Sequence, residues 1–172
     1  MDIEELESIL EAGKETQRID FKKSCKWDIF SFAKDLLAMT NVEHGGIIII
    51  GVKESKNGFI RQGVKEEDKL TYQIDKMRDE ASSFADPHMI FSSYVIADQK
   101  NKEYVIIEIE PFREIPVICA RDSKDTKKCA IYYRNRNRRI ESAMVSSSYD
   151  LRDIIERRSE EHTSELQSPY VI

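Results

Sequence analysis

Asn41-Val-Glu-His-Gly-Gly-Ile-Ile-Ile-Ile-Gly-Val-Lys-Glu54 is the stretch of sequence that decides the fold. The four consecutive isoleucines show no alternation of polar and apolar side chains, which is typical of a strand buried on both faces of a sheet. Gly45 and Gly46 precede this strand and permit a tight turn, or a close approach of another group where a Cβ atom would clash. The apolar segment 27–39 is predicted to be a helix that covers the strand. This order predicts an α+β (α/β) fold, with a mixed central sheet flanked by helices.

Local patterns on either side of this stretch predict the remaining elements. Apolar residues at helical spacing, ended by Gly13, predict an acidic amphipathic helix at the start of the chain. Alternation over 17–22 predicts a half-buried strand, which we expect to neighbour the strand 47–52. The later predictions are a hairpin turn at Asn57-Gly58 leading into a strand over 59–64, one continuous helix over 66–84, strands over 91–97, 104–109 and 130–134, and a helix over 149–157 that is N-capped by Ser148.

Length and composition indicate one globular domain. The chain has 172 residues, of which 40% are hydrophobic and 34% charged. No apolar run approaches the roughly 18 residues that a membrane span needs. The three cysteines form no CxxC pair, which is typical of reduced thiols in a cytoplasmic protein. The histidines do not lie at ligand spacing from any cysteine, so a zinc site is not expected.

The last residues differ in character from the rest. Arg158 to Ser168 resembles the in-frame translation of a short-read sequencing adapter, and we exclude it from the prediction of fold and function. The expected organisation is a domain over 1–145, the start of a truncated C-terminal helical region over 146–157, and a segment over 158–172 that is not native protein.

Positive charge is concentrated in one part of an acidic chain. The net charge is −5, yet residues 121–140 carry eight bases against two acids. In the segment 132–139, arginines can hold phosphates bidentately, asparagines can bond base edges, and tyrosines can stack on unpaired bases. A polyanion responds to such a local field more than to net charge. The alternative is that these arginines pair with the acidic first helix.

Three carboxylates are candidates for a metal site. Glu15, Asp20 and Glu54 would converge at one rim if the strands 17–22 and 47–52 are neighbours. Carboxylate oxygens suit Mg²⁺ or Mn²⁺, which could activate water against a phosphodiester. Lys22 could stabilise the charge that develops in the transition state. The alternative is a solvated surface in which each pair contributes less than about 1 kcal/mol.

Several motifs together resemble a known family, the Schlafen/AlbA-type DNA-binding domain. The resemblance runs in order over roughly residues 4–145. The matching motifs are Glu15-x-x-x-x-Asp20-Phe21-Lys22, Leu37-Ala-Met-Thr-Asn41, Gly45-Gly-Ile-Ile-Ile-Ile-Gly-Val-Lys-Glu54, Ile60-Arg-Gln-Gly-Val64, and Tyr132-Tyr-Arg134 followed by Ala143.

This resemblance implies a domain with DNA or RNA as partner, often followed by a helical or winged-helix region, and a regulatory role such as transcriptional regulation. In the Schlafen branch, carboxylates that match Glu15, Asp20 and Glu54 form a metal-dependent endoribonuclease site. Asp20 is shorter than the usual glutamate. Schlafen nucleases also use a duplicated pair of domains, and here a homodimer would supply the second half. Members have been labelled ATP-binding, but four isoleucines stand where a phosphate loop needs turning glycines.

The sequence therefore predicts a nucleic-acid-binding domain, with a divalent-metal endoribonuclease and a protein-interaction module as alternatives. Salt-dependent affinity would mark the first, metal-dependent cleavage the second, and the absence of both the third. The candidate catalytic residues, the first three of them also metal ligands, are Glu15, Asp20, Glu54 and Lys22. The candidate nucleic-acid contacts are Lys22, Lys23, Tyr133, Arg134, Arg136, Arg138 and Arg139.

Overall fold

The computed structural model describes residues 1–135 and 140–156, which form helices and mostly short strands. The helices are α1 (Ile3–Ala12), α2 (Ile29–Thr40), α3 (Glu66–Lys69), α4 (Ile74–Ser82) and α5 (148–156). The strands are β1 (Ile19–Lys22), β2 (Gly46–Ile50), β3 (Val52–Ser55), β4 (Gly58–Arg61), β5 (Ala85–Asp86), β6 (Phe91–Ala97), β7 (Glu103–Ile109), β8 (Ile118–Cys119), β9 (Tyr132–Arg134) and β10 (Ser142–Met144).

The central sheet is mixed, as the sequence predicted. Its strand order is β1-β2-β7-β6. β1 runs parallel to β2, with Asp20 opposite Ile48, whereas β7 is antiparallel to both β2 and β6. The predicted neighbourhood of the strands at 17–22 and 47–52 is therefore confirmed.

Both faces of β2 are buried. Ile48 and Ile50 pack into the core that contains α2, and Ile47 and Ile49 pack into the second core, which contains α1. Each such side chain, when fully buried, contributes roughly 1.5–3 kcal/mol. The absence of alternation in this strand thus follows from two apolar layers, one on each side.

Gly45 and Gly46 perform the two functions expected of them. Gly45 has φ +68°, and a Cβ atom there would lie 2.0 Å from the carbonyl oxygen of Ile109. At Gly46 a Cβ atom would lie 2.6 Å from Met39 Sδ. The first glycine makes the turn beside β7, and the second permits close packing of β2 on α2.

The chain leaves the central sheet two residues earlier than predicted, since β2 ends at Ile50 and the strand was expected to end at Val52. Gly51 has φ +118° and separates β2 from β3. β3 and β4 then form a hairpin in which Ser55 is opposite Gly58, which confirms the predicted turn at Asn57-Gly58. The strand expected over 59–64 is β4, and it ends at Arg61.

The prediction of one continuous helix over 66–84 is wrong. The chain forms two helices there, α3 and α4, with a break between them. Thr71 Oγ1 donates to the carbonyl of Asp68 at 2.6 Å and accepts from the backbone N–H of Trp27 at 2.8 Å. A threonine side chain that bonds nearby backbone groups competes with the helical hydrogen bonds. The break therefore anchors this segment to the chain that precedes α2.

The last helix begins one residue before the predicted start. Ser147 Oγ accepts from the backbone N–H of Asp150 at 3.1 Å, so Ser147, and not Ser148, is the N-cap of α5. Across residues 1–135 and 140–156, no helix is both long enough and apolar enough to cross a bilayer.

Candidate functional site

Four charged side chains meet beside the edge strand β1. Asp20 and Lys22 lie two residues apart on β1 and so share one face. Lys22 Nζ lies 3.0 Å from Asp20 Oδ2 and 2.7 Å from Asp35 Oδ2 on α2. Arg134 Nη1 on β9 lies 3.1 Å from Asp20 Oδ1. We call Asp20, Lys22, Asp35 and Arg134 the ion cluster.

Arg134 is the most deeply buried member of the ion cluster, with an exposed fraction of 1%. Its Nη1 also donates to Ser142 Oγ at 3.3 Å. Its Nη2 donates to the carbonyls of Thr16 at 3.2 Å and Ile19 at 3.4 Å. The guanidinium thus connects β9 and β10 to β1. A buried cation of this kind depends on its partners, because losing one leaves a charge uncompensated in the interior.

The members of the ion cluster hold each other in the charged state. Burial on its own would lower the pKa of Lys22, but the carboxylates of Asp35 and Asp20 raise it above its ordinary value. Burial on its own would raise the pKa of Asp35, but the ammonium of Lys22 brings it below the ordinary range. Both groups are therefore ionised at neutral pH.

Glu15 lies next to the ion cluster without joining it. Its Oε1 accepts from the backbone N–H of Phe21 at 3.0 Å, and its side chain is half-buried. Burial raises the pKa of Glu15, and the negative charge of Asp20 raises it further. Glu15 and Asp20 are therefore close enough to act on each other electrostatically.

Glu54, the third predicted carboxylate, is exposed on β3, opposite Phe59 of the hairpin. Within the parts of the chain that the structure describes, no three His, Cys, Asp or Glu side chains are grouped so that they could hold a metal ion. Both oxygens of Asp20 already face cations of the chain itself. The three carboxylates do not fit a metal site in this arrangement, and their role in cleavage stays a prediction.

The predicted nucleic-acid contacts divide into buried and exposed groups. Tyr133 and Arg134 are buried in β9, so a direct phosphate contact by Arg134 does not fit its position. Tyr133 Oη accepts from Gln17 Nε2 at 3.1 Å and donates to the Asp153 carboxylate on α5. Lys23 is exposed at the end of β1. Arg136, Arg138 and Arg139 lie outside the described residues.

Sequence reasoning missed Asp35, although a signal was present. Asp35 is one of three charged residues, with Asp28 and Lys34, in the mainly apolar segment 27–39, which was predicted to be a helix that covers the central strand. A buried aspartate needs a cationic or hydrogen-bonding partner. That requirement could have pointed to a partner such as Lys22.

Asn41 holds β9, and with it Arg134, against the end of α2. Its Nδ2 donates to the carbonyls of Val117 at 2.9 Å and Tyr132 at 3.0 Å, and its Oδ1 accepts from the backbone N–H of Val117 at 2.8 Å. The side chain is fully buried. Asn41, the last residue of the motif Leu37-Ala-Met-Thr-Asn41, is therefore a structural link between separate parts of the chain.

Comparison with known proteins identifies a matching family. A family model described as Schlafen, AlbA_2 matches residues 15–142, which spans the whole ion cluster. No curated protein matches the chain significantly.

Two solved structures share the fold. The crystal structure of the DIP2311 protein from Corynebacterium diphtheriae has a TM-score of 0.54 and 18% sequence identity, over 88% of this chain and 27% of that protein. The chain thus spans about a quarter of the length of that relative. The solution structure of the N-terminal domain of a RecG-related protein from Nitrosomonas europaea, named for an ATP-dependent DNA helicase, has a TM-score of 0.54 and 16% identity, over 86% of this chain and 97% of that domain.

Proposed function

We infer that the chain is a nucleic-acid-binding domain, because it belongs to the Schlafen AlbA_2 family. The family match is the observation that carries this proposal. The structural neighbour from Nitrosomonas europaea is a RecG-related protein whose name refers to a DNA helicase. It shares the fold with this chain, and that likeness is compatible with the proposal.

The distribution of basic residues supports the same proposal. Lys22 and Arg134 are engaged in the ion cluster, so they are not the groups we expect to meet phosphate. The remaining predicted contacts are Lys23, which is exposed, and three arginines within four residues of sequence between β9 and β10. Several cations in a short segment favour binding to a polyanion over binding to a single small anion.

Salt dependence of binding tests this proposal. Labelled single-stranded RNA, tRNA and duplex DNA would be titrated with the protein at several salt concentrations, with fluorescence anisotropy as the readout. The variant R136Q/R138Q/R139Q should bind more weakly, and its slope of log affinity against log salt should be shallower by roughly 2–3, since each lost phosphate contact removes roughly 0.7–0.9.

A charge-matched variant provides the control. K56Q/K76Q/K100Q also removes three exposed bases, from the β3–β4 turn, α4 and the β6–β7 turn. Its salt slope should stay close to that of the wild type. If the wild type shows no salt-dependent affinity for any of the three nucleic acids, the alternative of a protein-interaction module replaces the proposal. Light scattering during the same purification measures whether the chain is a homodimer.

The endoribonuclease alternative is tested by additional cleavage reactions in the same experiment. The same RNA would be incubated with Mn²⁺, with Mg²⁺ and with EDTA, using wild type, E15Q and E54Q. Cleavage that needs the metal and disappears in both variants, while anisotropy still reports binding, would establish an enzyme. Binding without cleavage in all arms would leave a binding module.

A further inference from the structure

Asp20 and Asp35 form a buried acidic pair with an ammonium group between them. Lys22 Nζ lies 3.0 Å from one carboxylate and 2.7 Å from the other. We infer that Lys22 and Arg134 are the resident cations of this acidic pair, in place of a divalent metal ion, and that the ion cluster clamps the β9–β10 hairpin onto β1 and α2. This inference does not depend on nucleic-acid binding.

The charges of the ion cluster balance without an external ion. Two carboxylates face one ammonium and one guanidinium, so the buried net charge is zero. Adding a divalent cation would leave an excess of two positive charges in a low-dielectric region, which is strongly unfavourable. A metal ion could enter only by displacing a cation that is already there.

The spacing of the carboxylates also favours an ammonium. The lysine nitrogen lies 3.0 Å from Asp20 Oδ2 and 2.7 Å from Asp35 Oδ2, and its contact with Asp20 is an ion pair without an aligned hydrogen bond. Mg²⁺ requires oxygens at roughly 2.0–2.1 Å, so each carboxylate would have to move by roughly 0.6–1.0 Å. The space between Asp20 and Asp35 is therefore sized for the group that occupies it.

The two cations are held unequally. Arg134 is also fixed by Ser142 and by two backbone carbonyls, so it cannot leave unless the hairpin separates from β1. Lys22 keeps 25% of its side chain exposed and is held by the two carboxylates, with its Nζ 5.6 Å from the centre of the Phe32 ring. Lys22 is thus the cation that a substitution can remove while Arg134 keeps its own partners.

Thermal unfolding of wild type, K22M and K23M tests the inference, each in Mn²⁺ and in EDTA. The wild type should melt at the same temperature in both. K22M should melt roughly 5–10 °C lower in EDTA, because Asp35 loses its counter-ion. Mn²⁺ should restore part of that loss in K22M and none of it in K22M/D35N. K23M removes the exposed neighbouring lysine and should behave like the wild type.

Amide hydrogen exchange tests the clamp separately. Exchange at Ser142–Met144 should be faster in K22M than in wild type and unchanged in K23M, because K22M leaves Asp35, which also bonds Ser142 of the hairpin, without its counter-ion. Unchanged exchange in K22M, or a K22M protein that melts like the wild type, would overturn the clamp. A folded, destabilised K22M that does not respond to Mn²⁺ would overturn the substitution of lysine for metal.

Measurements on the wild type decide the main point even if K22M fails to fold. Electron paramagnetic resonance would count bound Mn²⁺ in wild type, E15Q and E54Q. Equal and weak binding in all three is the expected result. A wild type that binds Mn²⁺, is stabilised by it, and loses both properties in E15Q and E54Q would show that the three carboxylates hold a metal after all.

Discussion

Asn41 shows how much structure a single buried side chain can hold together. It joins the end of α2 to Val117 and to β9, segments that lie 76 and 91 residues further along the chain. Both ends of its amide are engaged, and the residue is inaccessible to solvent. Removing such a group leaves backbone donors and acceptors without partners in the interior.

The first prediction concerns this residue. Asn41→Ala should lower the free energy of unfolding by about 3 kcal/mol, since the N–H of Val117 and the carbonyl of Tyr132 lose their partner. Denaturant titration measures the change. Asn57→Ala, at the exposed hairpin turn, is the control and should change stability by less than about 0.5 kcal/mol. Equal effects of the two substitutions would contradict the assigned role of Asn41.

The second prediction follows from the raised pKa of Glu15, whose burial and proximity to Asp20 disfavour the charged form. The folded state holds this proton to a higher pH than the unfolded state does, so ionised Glu15 costs stability at neutral pH. Glu15→Gln, whose side-chain oxygen can still accept from Phe21, should therefore raise the melting temperature at pH 7. The gain should shrink as the pH falls through the raised folded pKa of Glu15 and should be gone below its unfolded value of about 4.3. Melting curves across pH measure this, and a variant less stable than wild type at pH 7 would contradict it.

Arg134 shows what the sequence could not reveal at this scale. The local sequence from Tyr132 to Arg139 does not indicate whether its first arginine is buried or exposed. What decides is Asp20, a partner 114 residues earlier. Gly45 and Gly46, in contrast, were predictable, because the conformational requirement of a turn before a buried strand is local.

At the scale of elements, two adjacent serines at the N-terminus of α5, Ser147 and Ser148, have different roles. Ser147 Oγ accepts from the backbone N–H of Asp150 and also donates to the Asp150 carboxylate at 2.8 Å. Residue 148 is the first helical residue. A cap of this kind stabilises a helix by about 1 kcal/mol.

The third prediction compares these two serines. Ser147→Ala should lower the free energy of unfolding by about 1 kcal/mol and speed hydrogen exchange at the Asp150 amide. Ser148→Ala should leave both nearly unchanged, since alanine is a good helix former at that position. Denaturant unfolding and exchange measured on both variants would decide between them. The opposite ranking would restore Ser148 as the cap.

Elements with a regular apolar pattern could be predicted from the sequence. An element that is interrupted by a contact with a distant segment could not. β6 and β7 lie where the apolar patterns over 91–97 and 104–109 placed them. The helix over 66–84 is interrupted at Thr71, which bonds to Trp27, 44 residues earlier. No pattern within the helix records a contact with a distant segment.

At the scale of the whole molecule, the ion cluster joins elements from the first and last thirds of the domain. Its two acids and two bases come from β1, α2 and β9. The family and the layered architecture could be predicted from ordered motifs. The cluster could not, because it depends on how the hairpin packs across the sheet edge.

The fourth prediction concerns stability against pH. The lowered pKa of Asp35 provides stabilisation that is present above its unfolded value of about 3.9 and is lost as the pH falls through the folded value. The raised pKa of Lys22 provides stabilisation that is present below about 10.4 and is lost as the pH rises through its folded value. The contribution of this ion pair to stability should therefore be nearly level between those limits and fall on both sides. Asp35→Asn should flatten the fall on the acid side, as measured by denaturant unfolding at a series of pH values.

The separation of Asp20 from Arg134 also has a consequence for biosynthesis. At roughly 5–20 residues per second, 114 residues of chain take roughly 6–23 s to translate. During that interval a nascent chain carries β1, α2 and β2 but lacks the arginine that neutralises Asp20. The domain should therefore complete its fold only after Arg134 has left the ribosome, and a ribosome that stalls before residue 134 would display an aggregation-prone, incompletely closed intermediate.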